Sequence, residues 1–251
     1  MDQNCQWIIP DWPAPVQVHA LSTLRQGGVS NAPYDSLNLA DHVGDDKQAV
    51  AANRKRLICA AALPSTPCWL KQVHGTNVID AGYVAKVCTA DASYTDKPGV
   101  VCTVLTADCL PLLLCDRHGR VVCAVHAGWR GLAGGVIEAA ITALGLDTRD
   151  LLAWMGPAIG PDVFEVGDEV RRQFINIDND SQEAFRPSPQ GRWLADIYHL
   201  ARLRLLKRGV QHIYGAKWCT LSDPERFYSY RRNGNTGRMA TMIWMQDDNE
   251  T

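Results

Sequence analysis

Apolar residues recur in short runs along the chain, separated by stretches rich in Gly, Pro, Asn and Asp. Residues 17–24 (QVHALSTL) alternate apolar and polar positions, the pattern of a strand with one face buried. Residues 47–62 place Val50, Leu57, Ile58 and Ala61 on one helical face, with Asp45 or Asp46 available as N-cap. The middle of the chain is β-rich. Segments 67–73 and 77–79 flank His74-Gly75, and VVCTVLT (100–106), LPLLLCD (110–116) and VVCAVH (121–126) are short apolar runs, as strands covered on both faces are. Arg117-His118-Gly119 reads as a turn, so 111–115 and 121–125 form a hairpin. Helices are predicted at about 132–144, ended by Gly145, and at 167–176 and 194–208, the last closing on Lys207-Arg208 and Gly209. Residues 211–219 read as a strand, and FYSYRR, NGNTG and RMATMIWM as a final hairpin. The pattern is α+β in a single domain over 1–251, without a βαβ repeat or a G-x-G-x-x-G after a strand.

Residues 25–46 show no periodicity at all and are rich in Gly, Asn, Asp and Ser. An irregular segment of that length in a compact domain is usually functional or disordered. The 251 residues carry a net charge of −2, and no Lys/Arg run exceeds three, so no nucleic-acid partner is expected. No apolar run approaches the ~20 residues that span a bilayer, so no membrane partner is expected either. Nine cysteines without a C-x-x-C pair, and an N-terminus with neither a basic stretch nor a long apolar one, point to a reducing cytoplasm.

Three segments carry the candidate chemistry: KQVHGTNV (71–78), TADCLP (106–111) and VHAGWRG (125–131). With the hairpin turn centred on His118, Cys109 falls opposite the neighbourhood of His126, both at the open end. Adjacent strands lie ~4.8 Å apart, so thiolate and imidazole can share one metal ion. His74 sits in a third strand–turn element, where Gly75 lets the backbone aim the ring. Singly, a histidine in a turn is ordinarily just polar, and a cysteine before an apolar strand is a small core residue. Their opposition across one hairpin raises the metal reading to even footing, and two imidazoles with one thiolate are ordinary zinc ligands. A metal-free pair, Cys109 as nucleophile and His126 as base, stays open, as does a non-enzymatic binding module. His42, in the irregular segment, is either a substrate contact or simply exposed.

These segments, with RQGGVSNAPYDSLNLADHVGDD (25–46), GPAIGPDVFEVG (156–167), CT (219–220) and FYSYRRNGNTGR (227–238), resemble the YfiH/laccase-domain family nearly end to end. Its members bear the names polyphenol oxidase and purine nucleoside phosphorylase. The resemblance implies a YfiH-like four-layer α/β/β/α fold with mixed β-sheets and zinc on His74, Cys109 and His126. It implies phosphorolysis of adenosine, inosine and methylthioadenosine to free base and ribose 1-phosphate, with adenosine deamination beside it. Cys109 and His126 are then the catalytic candidates. Purine nucleoside and phosphate are the small-molecule partners. For these Arg25 and Arg231, whose guanidinium forks suit phosphate, and Asn38, suited to sugar hydroxyls, are the substrate-binding candidates. Arg130 opens a helix and serves either phosphate or packing. The usual deaminase signature, H-x-E followed by P-C-x-x-C, is absent. Copper can substitute in such a site, but seven histidines without an H-x-H pair argue against a multicopper oxidase. Some bacterial members are linked to editing of peptidoglycan precursors. Nothing in the sequence sets an oligomeric state.

Overall fold

The computed structural model describes residues 5–84 and 87–246. The ends of a domain drawn over 1–251 therefore lie outside the described residues. In chain order the elements are β1 (Trp7–Ile8), β2 (Val18–Thr23), α1 (Lys47–Ala60), β3 (Leu70–Lys71), β4 (Val78–Asp80), β5 (Cys88–Thr89), β6 (Ala92–Thr95) and β7 (Cys102–Thr106). There follow β8 (Leu110–Asp116), β9 (Val122–Ala127), α2 (Trp129–Gly134), α3 (Val136–Leu144), β10 (Leu151–Met155), β11 (Glu165–Val166) and α4 (Asp168–Ile175). The chain ends with β12 (Phe185–Ser188), β13 (Arg192–Ala195), α5 (Ile197–Lys207), β14 (His212–Gly215), α6 (Tyr230–Asn233) and β15 (Met239–Met245).

Two large sheets stack face to face. One runs β1-β2-β15-β7 and is antiparallel throughout. The other runs β14-β10-β8-β9-β6-β4 and is mixed, parallel at its two edges and antiparallel between them. Between the sheets lie Val18, Ala20, Val104 and Ile243 from the first and Leu113, Ala124 and Trp154 from the second. Helices α3 and α5 cover the outer face of the mixed sheet, with Ile137, Ile141 and Leu205 against Leu112, Leu114 and Val125. Leu57 of α1, with Leu37 and Leu39 of the irregular segment, covers the outer face of the antiparallel sheet against Leu21, Leu105 and Met242. The order is α/β/β/α, a mixed α+β architecture. Among the described residues no helix is long and apolar enough to cross a membrane.

Where structure and sequence pattern part, the reason is local. The helix predicted over 132–144 starts earlier and is broken, because Gly135 takes φ +96° and ends α2 before α3 begins. The final hairpin does not form. Both edges of β15 are taken by β2 and β7, and Ser229 instead caps the short helix α6 by accepting from Arg232 N–H. The strand read over 211–219 stops at Gly215 and Ala216, both at positive φ. Segment 25–46 is irregular but firmly tied: Asn53 of α1, fully buried, donates to Ser30 Oγ, Ser36 O and Asn38 O, and accepts from Val29 N–H.

Candidate functional site

The antiparallel register pairs Pro111 with His126 and Leu110 with Ala127, so Cys109 stands just outside the ladder, two residues beyond the partner of His126. His74 arrives from the turn between β3 and β4 with φ +59°, a conformation that costs a non-glycine residue energy and persists only where its surroundings hold it. The ligand atoms of His74, Cys109 and His126 all lie within 4.8 Å of one another. Cys109 Sγ is 3.7 Å from His74 Nε2, and the two imidazoles meet edge to face at 4.8 Å. His126 is buried, Cys109 partly so, and His74 opens to solvent.

One side chain absent from the sequence reading organises this cluster. Asp91, just ahead of β6 and fully buried, accepts N–H groups from Val73, His74 and Gly75 at 2.7–3.2 Å and thereby holds the turn. The same carboxylate accepts from His126 Nδ1 at 2.8 Å, which fixes the tautomer and leaves Nε2 for the cluster. Burial alone raises the Asp91 pKa, but the His126 and backbone hydrogen bonds outweigh it and hold the group below its ordinary value. A signal for Asp91 does exist: Thr-Ala-Asp occurs at 89–91 as well as at 106–108. The second aspartate, Asp108, at φ +90°, accepts from Thr220 Oγ1, Ser229 Oγ and Arg231 N–H, so it pins the Cys109 turn to the loops beyond.

Electrostatics bind the cluster together. Burial disfavours the Cys109 thiolate, yet the charge and hydrogen bond of His126, with a further bond from His74, bring the thiol down to about 6. Burial likewise opposes charging of His126, and Cys109 and Asp91 on either side push it up to about 9. Gly128 keeps the centre open: a Cβ there would meet His74 Cδ2 at 2.6 Å and Cys109 Sγ at 3.1 Å.

The cluster forms the floor of a cleft of about 530 Å³. Arg130, Arg231 and Arg238 line it together with Phe164, Ile159 and Tyr230. Arg231 is anchored by Nη1 on Glu165 O and lies over the Phe164 ring, and Arg130 stacks on Trp129. Arg238, masked in the sequence by the expected hairpin, is half-buried and anchored by Nη1 on Thr236 O and Gly237 O. Burial lowers its pKa, countered by the negative charge of Cys109 and Asp108. Arg25, by contrast, does not line the cleft. Its guanidinium is committed to Asp35 and Pro224 O and lies over Tyr228. Asn38 is fully buried behind the wall, where Oδ1 accepts from Ala40 N–H and Arg238 N–H. It touches the cleft only through the backbone of Arg238.

By fold and site this is a four-layer α+β protein with an arginine-rimmed cleft over a three-residue group able to hold a metal. Residues 19–246 match the family described as multi-copper polyphenol oxidoreductase laccase, and the chain belongs to that family. A Pseudomonas aeruginosa protein named purine nucleoside phosphorylase is 54% identical over 242 residues, covering 96% of this chain and 99% of its own. Purine nucleoside phosphorylase YfiH of Escherichia coli is 52% identical over 241 residues, covering 95% and 98%. The crystal structure of a Neisseria meningitidis protein, 46% identical, superposes with a TM-score of 0.93 over 96% of this chain and 99% of that one.

Proposed function

We propose that the protein is a zinc-dependent purine nucleoside phosphorylase. It splits inosine, adenosine and methylthioadenosine with phosphate to free base and ribose 1-phosphate, and deaminates adenosine as a second activity. The observation that carries the reading is one cleft lined both by His74, Cys109 and His126 and by three arginines. The names of the relatives support it. Zinc fits the group by donor chemistry, two imidazoles and a thiolate, and by the space that glycine at 128 leaves beside Cys109 and His74. Copper binds such donors as well and is the substitute. When bound, zinc supplies positive charge and Lewis acidity at the cleft floor.

The chain's own residues do the rest. Arg231 and Arg238, each fixed by one anchored nitrogen, present guanidinium donors to phosphate, and Arg130 adds a third cation. Phe164, Ile159 and Tyr230 offer apolar surface to the base and shelter the reacting carbon from water.

Metal-replete protein incubated with inosine and phosphate is expected to release hypoxanthine and ribose 1-phosphate in equal amounts, and none without phosphate. Cys109→Ala is expected to abolish release while the fold persists. Absence of base release from inosine, adenosine and methylthioadenosine alike would overturn the reading. One arrangement favours a second reading, a metal-free hydrolase: Cys109, His126 and Asp91 stand in the order nucleophile, base, orienting carboxylate. Full activity after exhaustive chelation would select it.

A further inference from the structure

Resting on the phosphorylase reading, the cleft also identifies the acid for the departing base. When the C1′–N9 bond of a purine nucleoside breaks, its electron pair passes to the base, which leaves readily only if a proton reaches it, at N7. The candidates facing the cleft are few. His74, Cys109 and His126 form the metal-holding group. Asp108 is a carboxylate with both oxygens already accepting hydrogen bonds. Guanidinium groups do not give up a proton, and the phenol of Tyr230 belongs to a class far less acidic than imidazolium. His42 remains, on the cleft wall, and imidazole is the side chain that exchanges a proton near neutrality.

Its placement is not casual. The His42 Nδ1 lies 3.5 Å from Asp41 Oδ1, which turns Nε2 away from that carboxylate, and Arg54 of α1 lies 3.5 Å from the other oxygen of Asp41. The flanking backbone is held at several points: Arg54 Nε donates to Leu39 O, Tyr34 hydroxyl to Val43 O, and Asn38 Nδ2 to Asp45. The backbone that carries His42 is thus held in place at the cleft wall, while its imidazole stays more than half exposed and able to meet a base in the cleft.

We propose that His42 is the general acid that protonates the purine at N7 as the glycosidic bond breaks. A phosphate oxygen forms the bond to C1′ and the C1′–N9 bond breaks with its electron pair on the base. The proton leaves His42 Nε2 for N7, the hydrogen phosphate releases its own proton to solvent, and His42 is reprotonated from solvent. The test uses a substrate that needs no such proton. 7-Methylinosine already carries the positive charge on its imidazole ring, so its base leaves unaided. In the metal-replete His42→Gln protein, kcat for inosine is expected to fall about 10²-fold or more, while kcat for 7-methylinosine stays near wild type. His42→Asn is expected to show the same split, with an unchanged thermal midpoint in both variants. Equal losses on the two substrates, or no loss on inosine, would overturn the proposal and leave the phosphorylase reading standing. A wild-type protein that cleaves neither nucleoside would sink both.

Discussion

Replacing Asp91 by Asn removes one negative charge and puts an NH₂ where an oxygen accepts. The carboxylate holds the backbone of 73–75 with one set of bonds and the His126 ring with another, so both histidine arms loosen together. The expected outcome is zinc affinity lower by about 10- to 100-fold, measured by competition with a chromophoric chelator. Unchanged affinity would mean that the turn and the ring hold themselves. The arginines separate in the same way. A hydrogen bond to a charged partner contributes about 1.5–3 kcal/mol, so Arg231→Ala is expected to raise KM for phosphate about tenfold or more. Arg25→Ala, which breaks the ties to Asp35 and Pro224, is expected to lower stability and leave that KM unchanged. Initial-rate kinetics with varied phosphate, beside urea unfolding, distinguish the two.

Among the elements, the 110–127 hairpin does most to build the site, and its far turn is organised by Asp116. That carboxylate is fully buried and accepts from Arg120 N–H, Arg120 Nε and Val121 N–H. Burial raises its pKa, and the Arg120 and backbone hydrogen bonds together bring it below the ordinary value. A carboxyl depressed in the fold stabilises above its unfolded pKa, ~3.9, and loses that contribution as pH falls through the folded value. Asp116→Asn is therefore expected to cost about 1–3 kcal/mol near pH 7, a gap that narrows as pH falls below ~4. Urea denaturation across pH 2–7 reads it; a gap independent of pH would show the charge to be irrelevant. The hairpin also explains what the sequence made legible. A strand ladder has a register, so Cys109 and His126 could be brought to the same open end of the hairpin from their numbers alone, two positions short of the actual pairing of His126 with Pro111. Asp91, whose partners lie on two other segments, left only a repeated tripeptide as a trace. The expected final hairpin does not form, because a run like FYSYRR shows its own propensity but not that β2 and β7 already occupy both edges of β15, and the same expectation hides Arg238.

For the whole molecule, a metal that binds only the folded chain shifts unfolding by mass action. Zinc at a thousand times its Kd adds about 4 kcal/mol, or roughly 8–16 °C of melting temperature for a chain of this size. Differential scanning fluorimetry with and without a strong chelator is expected to show that gap, and His74→Ala to abolish it. A gap that survives in His74→Ala would place the metal elsewhere.

The route of the chain through the site has one more consequence. β7 belongs to the antiparallel sheet and β8 to the mixed one, and the chain crosses from one to the other through Ala107–Cys109. Cys109 therefore sits on the crossing itself, while His126 rides on the mixed sheet alone. Any sliding of one sheet over the other would alter the Sγ-to-imidazole separation, together with the spacing between β7 and His126 across the cleft. Cobalt in place of zinc would make the site an optical gauge of that alignment. A cavity cut deep between the sheets at Leu113, well away from any substrate, would announce itself as a changed ligand-field spectrum.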